Sequence, residues 1–436
     1  MIKISMAVAS LWFLISGMCS AHAADPCLEC HEKKTLGIVN YWKESIHSKK
    51  NISCTDCHGK DAEANHRGDV KVESSKCGSC HKEAFASHSI SKHAIGLKAG
   101  RGCTRNMEKT DEQEKSCTFC HKPGSTVPVV NTECAMFVAQ SPEMRRQGCD
   151  SCHMVETRCD TCHTKHGTDL SLAKRPETCG VCHMGPDHPQ YEAWDTSPHG
   201  VIYRQGGEKA APACVTCHMD KGTHNVSKGI ATGIQEAGNM RRQERDFMLN
   251  ICARCHTSSL AKGSLDDADN IEKQSSALVN EAKGVIEGLQ KENLLMPDPS
   301  ERPPHPLFGH KFVIGPHMLY ENLSRVESLF FKMKQFYYMI AFKSVFHQNP
   351  DYAHWYGNAP LKLTLSEIKS EAALLRQMDI IKKRLDNLGA ASAFEKDETG
   401  ELKRKLSELN EKRLRGEISE KEYMELKNKL LNEKGL

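Results

Sequence analysis

The chain has 436 residues, of which 39% are hydrophobic and only 6% aromatic. At about 150 residues per domain this length suggests three domains, but the apolar content is small for three large cores. The 59 basic and 56 acidic residues leave a net charge of +3, which excludes a strongly basic nucleic-acid-binding protein. The 21 cysteines and 23 histidines suggest that something other than side-chain packing fills the interior.

The first residues have the features of a secretory signal peptide. Lys3 supplies a positive start, residues 4–15 are apolar, and Ala-His-Ala at 21–23 is a small-x-small cleavage site. The apolar run is too short to span a bilayer, although an uncleaved anchor is the alternative. We expect a signal peptide over residues 1–23 and export of the mature chain to the periplasm.

Nine Cys-x-x-Cys-His motifs then follow, using eighteen of the 21 cysteines. In a c-type haem site, two thiols bond the two vinyl groups of one porphyrin and the adjacent histidine binds the iron. Disulfides or zinc sites would not explain why a histidine follows every pair, so we expect about nine haems c, or eight if one motif is empty. The motifs are Cys27, Cys30 and His31; Cys54, Cys57 and His58; Cys77, Cys80 and His81; Cys117, Cys120 and His121; Cys149, Cys152 and His153; Cys159, Cys162 and His163; Cys179, Cys182 and His183; Cys214, Cys217 and His218; and Cys252, Cys255 and His256. Of the other three cysteines, Cys19 lies in the signal, while Cys103 and Cys134 either pair or stay free.

Thirteen histidines lie outside the motifs and the signal. Haems that only carry electrons are usually capped on both faces, and a second histidine is a common ligand. Thirteen are enough to cap all nine haems, so their number alone does not indicate an open iron. For any single one of these histidines, the alternative to a haem ligand is an ordinary surface or core residue. The candidate distal ligands are His47, His66, His88, His93, His166, His199, His224 and His317.

The motifs are crowded into residues 27–256, and the fifth and sixth begin ten residues apart, at Cys149 and Cys159. Haems this dense can form a chain for rapid electron transfer. We therefore expect a multihaem cytochrome domain over residues 24–262, made of short helices and loops with little or no sheet, that stores and moves several electrons.

Beyond residue 262 the chain has apolar residues at helical spacing, which predicts long helices over residues 263–395. A capping box at Thr364 and Glu367 predicts the start of the last of them, and Gly389 its end. These heptad-like stripes pack either within one subunit or, as we favour, between subunits. The stripes are Leu278, Ala282, Val285 and Leu289; Leu323, Val326, Phe330, Met333, Tyr337 and Ile340; and Leu374, Met378, Ile381, Leu385 and Leu388.

The last residues, 396–436, predict two short amphipathic helices separated by Gly416, the second capped by Ser419 and Glu422. The stretch LRGEISEKEYMELKNKLL at 414–431 weakly resembles the C-terminal helical module called SHOCT. That resemblance implies an appendage for oligomerisation or docking, with no chemistry of its own.

Residues 148–203, together with ACVTCHMDKGTHNV at 213–226, resemble the hydroxylamine oxidoreductase family of multihaem cytochromes c. The resemblance implies a mainly α fold, seven haems with two histidine ligands, and one catalytic haem open to a nitrogen substrate. An Asp-His pair stands over that haem in the family, and MGPDHP supplies Asp187 and His188 here. The catalytic haem maps onto Cys149, Cys152 and His153. Known members form trimers through long C-terminal helices.

The chain departs from the family pattern in two respects. It has nine motifs where the family has eight, and we suspect that the motif ending in His121 is the additional one. In members that oxidise hydroxylamine, a tyrosine from a neighbouring subunit bonds the catalytic porphyrin, and Tyr352 or Tyr356 is in about the right place. Members without this bond are reductive.

The resemblance implies a periplasmic oxidoreductase that either oxidises hydroxylamine or reduces nitrite or hydroxylamine at one open haem. A redox partner, such as a cytochrome or a quinone-linked protein, would exchange electrons with it, and it would form a homo-oligomer. The alternative is a non-catalytic cytochrome for electron transfer or storage with every haem capped. In that case His188 is a distal ligand and Asp187 a turn residue before Pro189.

Overall fold

The structure is a computed structural model that describes residues 26–67, 72–95, 152, 154–230, 239–296, 298, 323–389 and 395–433. Within these ranges the chain forms helices and turns but no strand, which confirms the predicted mainly α fold class. None of the helices in these ranges has the length and apolar character needed to cross a membrane. Outside the described residues lie the predicted signal peptide, Cys103, Cys117, Cys120, His121, Cys134, Cys149, His153 and His317.

The chain divides into two compact units. The first comprises Met1–Val72 with His163–Asp169, and the second comprises Glu73–Cys162 with Leu170–Leu436. The described helices of the first unit are short: α1 (Pro26–Lys34), α2 (Leu36–Glu44), α3 (Ile46–Lys49), α4 (Cys54–His58) and α5 (Ala62–Asn65).

The second unit begins with similarly short helices. They are α6 (Ser74–Gly78), α7 (Lys82–Ser89), α8 (Leu170–Ala173), α9 (Pro176–Gly180), α10 (Gln190–Asp195), α11 (Pro198–Gly206), α12 (Cys214–His218) and α13 (Asn239–Cys252). Two haem motifs are themselves single helical turns, α4 and α12. In α4, the Ser53 backbone N–H donates to the Asp56 carboxylate at 2.7 Å, which caps the turn and fixes the relative positions of its two thiols.

The polypeptide of this motif-rich part buries little apolar surface of its own. Large side chains such as Ile90 and Val181 are each 74% exposed, and Leu170 is 59% exposed. A soluble chain rarely leaves so many large apolar groups uncovered. The buried hydrophobic residues described between 26 and 257 are Val39, Ala193, Trp194, Ala211, Ala213 and Ile251.

The long-helix region contains the main hydrophobic core. The region comprises α14 (Ser258–Lys291), α15 (Arg325–Lys332), α16 (Tyr338–Phe346), α17 (Pro350–Tyr352) and α18 (Ala359–Gly389). It also contains π-helical turns at Met333–Tyr337 and Ala353–Asn358. Side chains of the predicted stripes, including Ala282, Leu289, Val326, Phe330 and Met333, are packed into one core within the chain. The predicted long helices are therefore present, and these stripes pack against one another inside the subunit.

The predicted start of the last long helix was wrong. Thr364 is buried within α18 and does not cap its first turn. The helical run starts earlier, where the Asn349 side chain accepts the Tyr352 backbone N–H at 3.1 Å and Pro350 occupies the first position. Proline fits that position because its fixed φ suits a helix start. The predicted end at Gly389 agrees with the structure.

The C-terminal segment forms a helical hairpin, α19 (Glu395–Leu414) and α20 (Glu420–Asn432), with the predicted capping box at Ser419 and Glu422. The hairpin packs on α18, where Leu374, Leu409 and Tyr423 form a small core. Next to this core, the Arg413 guanidinium binds both carboxylate oxygens of Glu371, at 2.5 and 2.8 Å. The hairpin is thus attached to α18 by a buried ion pair as well as by apolar contacts.

Candidate haem sites and active-site loop

Five motif histidines each face a histidine from outside the motifs. The two ring centroids of each pair lie 5.8–6.4 Å apart. The pairs are His31 with His66, His58 with His166, His183 with His93, His256 with His199, and His218 with His347.

This separation fits one iron held between two imidazoles. A metal–nitrogen bond of about 2 Å on each side, added to the distance from each nitrogen to its ring centre, gives roughly 6 Å between centroids. A porphyrin iron needs only these two axial ligands from the protein. In keeping with this, no group of three or more His, Cys, Asp or Glu side chains that could hold a bare metal ion occurs in the described parts of the chain.

Two rings of these pairs, His31 and His347, and the candidate distal ligand His47 are held by their Nδ1 atom. The His347 Nδ1–H donates to the Lys343 carbonyl at 2.6 Å, and Nδ1 of His31 and of His47 bonds a threonine hydroxyl, at 2.7 and 3.1 Å. Such bonds orient the ring and leave Nε2 available as the metal ligand.

The environment also keeps paired rings neutral. Burial lowers the pKa of His218 to about 4, and the nearby His347 contributes to the same shift. Burial likewise lowers the pKa values of His58, His199 and His347. The neutral imidazole is the form that binds a metal ion, so these sites suit axial ligation at neutral pH.

The described candidate distal ligands outside the five pairs are His47, His88 and His224. His224 has His88 and His81 as neighbours, and its backbone N–H donates to the Ser87 hydroxyl on α7 at 3.0 Å. His88 uses its Nε2 in a 3.0 Å bond with the Val155 carbonyl, so that atom is already engaged. His47 lies in the first unit, which also contains His163. Ligation by each of these residues stays a prediction.

The described cysteines are free of disulfides, as thioether attachment requires. Thiols of different motifs lie within hydrogen-bonding reach of each other: Cys77 with Cys159, Cys179 with Cys214, and Cys152 with Cys182. Porphyrins bonded at such neighbouring positions would lie close together, which favours electron transfer between them.

Asp187 and His188 lie in the loop between the seventh motif and α10. The Asp187 carboxylate forms an ion pair with Nδ1 of His188, and both side chains are about 40% exposed. The His188 ring also bonds the backbone of Cys182, whose thiol contacts that of Cys152 in the fifth motif. The pair is therefore held beside one attachment point of the haem that the resemblance assigns to catalysis.

Asp187 sets the protonation of His188. Its hydrogen bond raises the pKa of His188 above the ordinary value of 6.5, and burial opposes this shift. His188 is not a member of the five facing pairs. A partly exposed imidazole that a carboxylate orients can donate or accept protons.

The two candidate tyrosines are stacked on each other, with ring centroids 4.7 Å apart. Burial raises the pKa of Tyr352, and the charge of Glu192 on α10 adds to the shift. Tyr352 therefore faces the helix that follows the Asp187–His188 loop in the same chain, while Tyr356 is 57% exposed. A covalent bond from either tyrosine to a porphyrin stays a prediction.

The family model described as "Seven times multi-haem cytochrome CxxCH" matches residues 50–303. The chain belongs to the multihaem c-type cytochromes. Haem c is therefore its cofactor, with the paired histidines, the motif cysteines and the uncovered apolar side chains all suited to hold it.

Two curated relatives are similar to this multihaem cytochrome. A probable nitrite reductase–hydroxylamine oxidoreductase fusion protein of Kuenenia stuttgartiensis is 27% identical over 81% of this chain and 52% of its own length. The C-type polyheme cytochrome OmcC of Geobacter sulfurreducens is 22% identical over 48% of this chain and 27% of its own. The cytochrome spans about half the length of the first relative and less of the second.

Two solved structures share its fold. A reducing HAO-like protein complex of Kuenenia stuttgartiensis contains a chain with a TM-score of 0.66 and 24% identity, over 82% of this chain and 86% of that one. A hypothetical multiheme protein gives a TM-score of 0.57 and 17% identity, over 82% and 96%. The predicted resemblance to the hydroxylamine oxidoreductase family is thereby confirmed in sequence similarity and in fold.

Sequence reasoning had not selected His347 as a distal ligand. It lies far from every motif along the chain, so interleaving with the motifs gave no signal for it. Only the surplus of histidines pointed to further ligands. Glu192 was also missed, because one acidic residue in the first turn of a helix has an ordinary role at a helix N-terminus.

Proposed function

We propose that this multihaem cytochrome is a periplasmic oxidoreductase that acts on small nitrogen compounds at one open haem. Cys149 and Cys152 would attach that haem, and His153 would bind its iron. The remaining haems would relay electrons between this site and a redox partner, a cytochrome or a quinone-linked protein. The observation that carries the proposal is the pairing of His188 with Asp187 in a loop that contacts Cys182, whose thiol lies beside Cys152 of the fifth motif.

The chemistry of the pair suits both directions of the proposed reaction. When bound, the haem supplies an iron that takes the substrate nitrogen and exchanges electrons with it. Asp187 holds His188 through Nδ1 and orients its ring for proton exchange. Oxidation of hydroxylamine releases protons and reduction of nitrite consumes them, so a histidine that can both donate and accept a proton serves either reaction.

A cytochrome for electron transfer or storage alone is the second candidate function. The five facing histidine pairs favour it, since a doubly ligated iron has no free position for a substrate. The two functions differ in a measurable property: the enzyme has at least one haem that binds an added ligand such as cyanide, and the pure electron carrier has none.

Turnover by the purified holoprotein tests the proposal. Hydroxylamine oxidation with an artificial electron acceptor and nitrite reduction with a reduced dye would be measured for the wild type, His188→Ala and His354→Ala. His354 is an exposed histidine outside the motifs and serves as the matched control. His188→Ala should slow turnover roughly 10²–10⁴-fold and leave the haem spectra unchanged. Conversion of one low-spin haem to high-spin in this variant would instead make His188 a ligand and overturn the proposal.

The pH dependence of kcat/KM provides a second test. Because Asp187 raises the pKa of His188, the protonated ring persists to higher pH than an ordinary histidine would. Asp187→Asn removes that effect, so the pKa of His188 falls and its limb of the profile moves to lower pH. If this limb of the kcat/KM profile lies at the same pH in Asp187→Asn as in the wild type, a group other than His188 titrates there.

A further inference from the structure

The helix that follows the Asp187–His188 loop carries a carboxylate that reaches back to the loop. Glu192 lies in the first turn of α10, and its Oε1 accepts the Gly185 backbone N–H at 2.7 Å. Gly185 has a φ of +107°, a conformation that favours glycine. The loop therefore turns at Gly185 and is tied at this point to the helix that follows it.

The second oxygen of the same carboxylate has no such bond. Oε2 of Glu192 is buried and has no hydrogen-bond partner among the described residues. A buried acceptor without a partner is unfavourable, and in native proteins it calls for an explanation such as a role at a functional site.

The charge of Glu192 acts on two groups that face it. It adds to the raised pKa of His188, behind the larger effect of Asp187, and to the raised pKa of Tyr352. Among the described residues, Asp187 and Glu192 are the charged groups that act on His188, and the Cys182 backbone is its other polar contact. The charge of Glu192 is thus felt both by the Asp187–His188 pair and by the tyrosine.

A buried asparagine keeps the tyrosine segment against α10. Asn349 is 3% exposed, and its Nδ2 donates to the Ala193 carbonyl at 2.9 Å and to the Thr196 hydroxyl at 2.7 Å. Its Oδ1 accepts the Tyr352 backbone N–H. The position of Tyr352 relative to Glu192 is therefore fixed by a hydrogen-bonded junction instead of by loose surface contact.

We propose that Glu192 is a positioning residue of the active site, which holds the Asp187–His188 loop through Gly185 and keeps a negative charge beside His188. This inference rests on the proposed function, because it assigns Glu192 to the same site. Glu192 acts through two separable properties: an acceptor oxygen for the Gly185 N–H and a negative charge near the His188 imidazole.

Two substitutions separate these properties. Glu192→Gln keeps a side-chain oxygen that can accept the Gly185 N–H but removes the charge, whereas Glu192→Ala removes both. Glu208→Gln is the matched control, because Glu208 is exposed and lies outside the loop. Haem content measured by absorption establishes that each variant is loaded. The readouts are kcat, the pH profile of kcat/KM, and hydrogen exchange at the Gly185 amide.

Glu192→Ala should lower kcat roughly 10- to 100-fold, since a small displacement of a reacting group has an effect of this size, and should speed exchange at Gly185. Glu192→Gln should keep Gly185 protected and yet move the His188 limb to lower pH. Glu208→Gln should change neither. An unmoved limb in Glu192→Gln, or unchanged exchange at Gly185 in Glu192→Ala, would overturn the inference.

His188→Ala, assayed in parallel, distinguishes the two levels of the proposal. Full turnover by His188→Ala would overturn the proposed function at this site. Loss of turnover in His188→Ala, together with wild-type behaviour of both Glu192 variants, would overturn only the role of Glu192. Exchange at Gly185 needs no turnover, so the structural half of the inference is decided in either case.

Discussion

His347 has the properties of an axial ligand although it is remote from every motif. Its ring faces that of His218 with centroids 6.4 Å apart, and its Nδ1–H is fixed by the carbonyl of Lys343 one helical turn earlier. Burial lowers the pKa of both rings. The end of α16 thus brings a histidine of the long-helix region to His218 of the eighth motif.

Replacing His347 by alanine should open one haem. The iron held by His218 would lose its second ligand and change from low-spin to high-spin, because one strong-field nitrogen donor is removed. Carbon monoxide binding to the reduced protein, counted per chain, should rise by one. His354→Ala, which removes an exposed histidine, should leave the count as in the wild type. An unchanged count in His347→Ala would show that the two rings do not share an iron.

At the scale of elements, α18 joins two parts of the molecule. Leu361, Leu365 and Ile368 pack into the main core, while Leu374 and Glu371 contact the C-terminal hairpin. The Arg413 side chain is 2% exposed and that of Glu371 is 6% exposed, and the guanidinium also lies over the Tyr423 ring, 4.5 Å from its centroid. A bidentate buried pair of this kind fixes how the hairpin docks.

Arg413→Ala should release the hairpin from α18. Removing one partner of a buried ion pair typically costs about 3–5 kcal/mol, and Glu371 would keep only the longer contact to Arg325 at 3.8 Å, so we expect a loss at or below the lower end of this range. Hydrogen exchange in residues 395–433 should accelerate, while the haem spectra stay unchanged.

Arg415→Ala is the matched control for this experiment. Arg415 pairs with Glu411 on the surface, where its side chain is 67% exposed, and such pairs contribute about 0–1 kcal/mol. Equal exchange rates in the Arg413→Ala and Arg415→Ala variants would show that the buried pair does not hold the hairpin.

The helix boundaries show what local patterns can predict. Ser419 and Glu422 cap α20 as predicted, whereas Thr364 and Glu367 have the same spacing in the middle of α18. A capping box is a local pattern, and the tertiary packing of α18 outweighs it. The true start of the helical run at Asn349 and Pro350 had its own signal, an asparagine cap followed by proline at the first position.

At the scale of the whole molecule, the main apolar core and the haem-binding motifs occupy different parts of the sequence. The main core lies in the long helices beyond residue 262, and the motif-rich part leaves large side chains such as Ile90 exposed. The mainly α fold was predictable from the sequence, and four of the histidines that face a motif histidine, His66, His93, His166 and His199, were among the predicted distal ligands. His347 was not, because it lies on α16, far along the chain from every motif. Attachment of haem at each motif stays a prediction.

The number of haems per chain is a prediction that a mass measurement alone can check. Every motif is intact, so the mature polypeptide should carry nine covalent haems. Intact mass spectrometry of the holoprotein gives the count, and Cys117→Ser/Cys120→Ser should carry one haem fewer than the wild type. A wild type with eight haems, unchanged by this double substitution, would identify the fourth motif as empty.

Assembly of the whole molecule is the last prediction. Trp355 and Tyr356 are 63% and 57% exposed in the π-helical turn before α18, and Leu363 is 65% exposed near the start of α18. Large exposed apolar residues of this kind are typical of an interface. Stripe residues that the sequence offered for association, such as Phe330, are buried within the chain, so we take these three exposed residues as the surface for a second copy.

We expect a homotrimer, measured by light scattering at micromolar concentration, and a monomer for Leu363→Asp, since a charge at a buried contact is unfavourable. Lys362→Asp changes an adjacent exposed side chain and should leave the trimer intact. Deletion of residues 396–436 should also leave it intact, because the hairpin covers a different part of α18, around Glu371 and Leu374. A monomeric wild type would refute the assembly, and a trimeric Leu363→Asp would place the interface elsewhere.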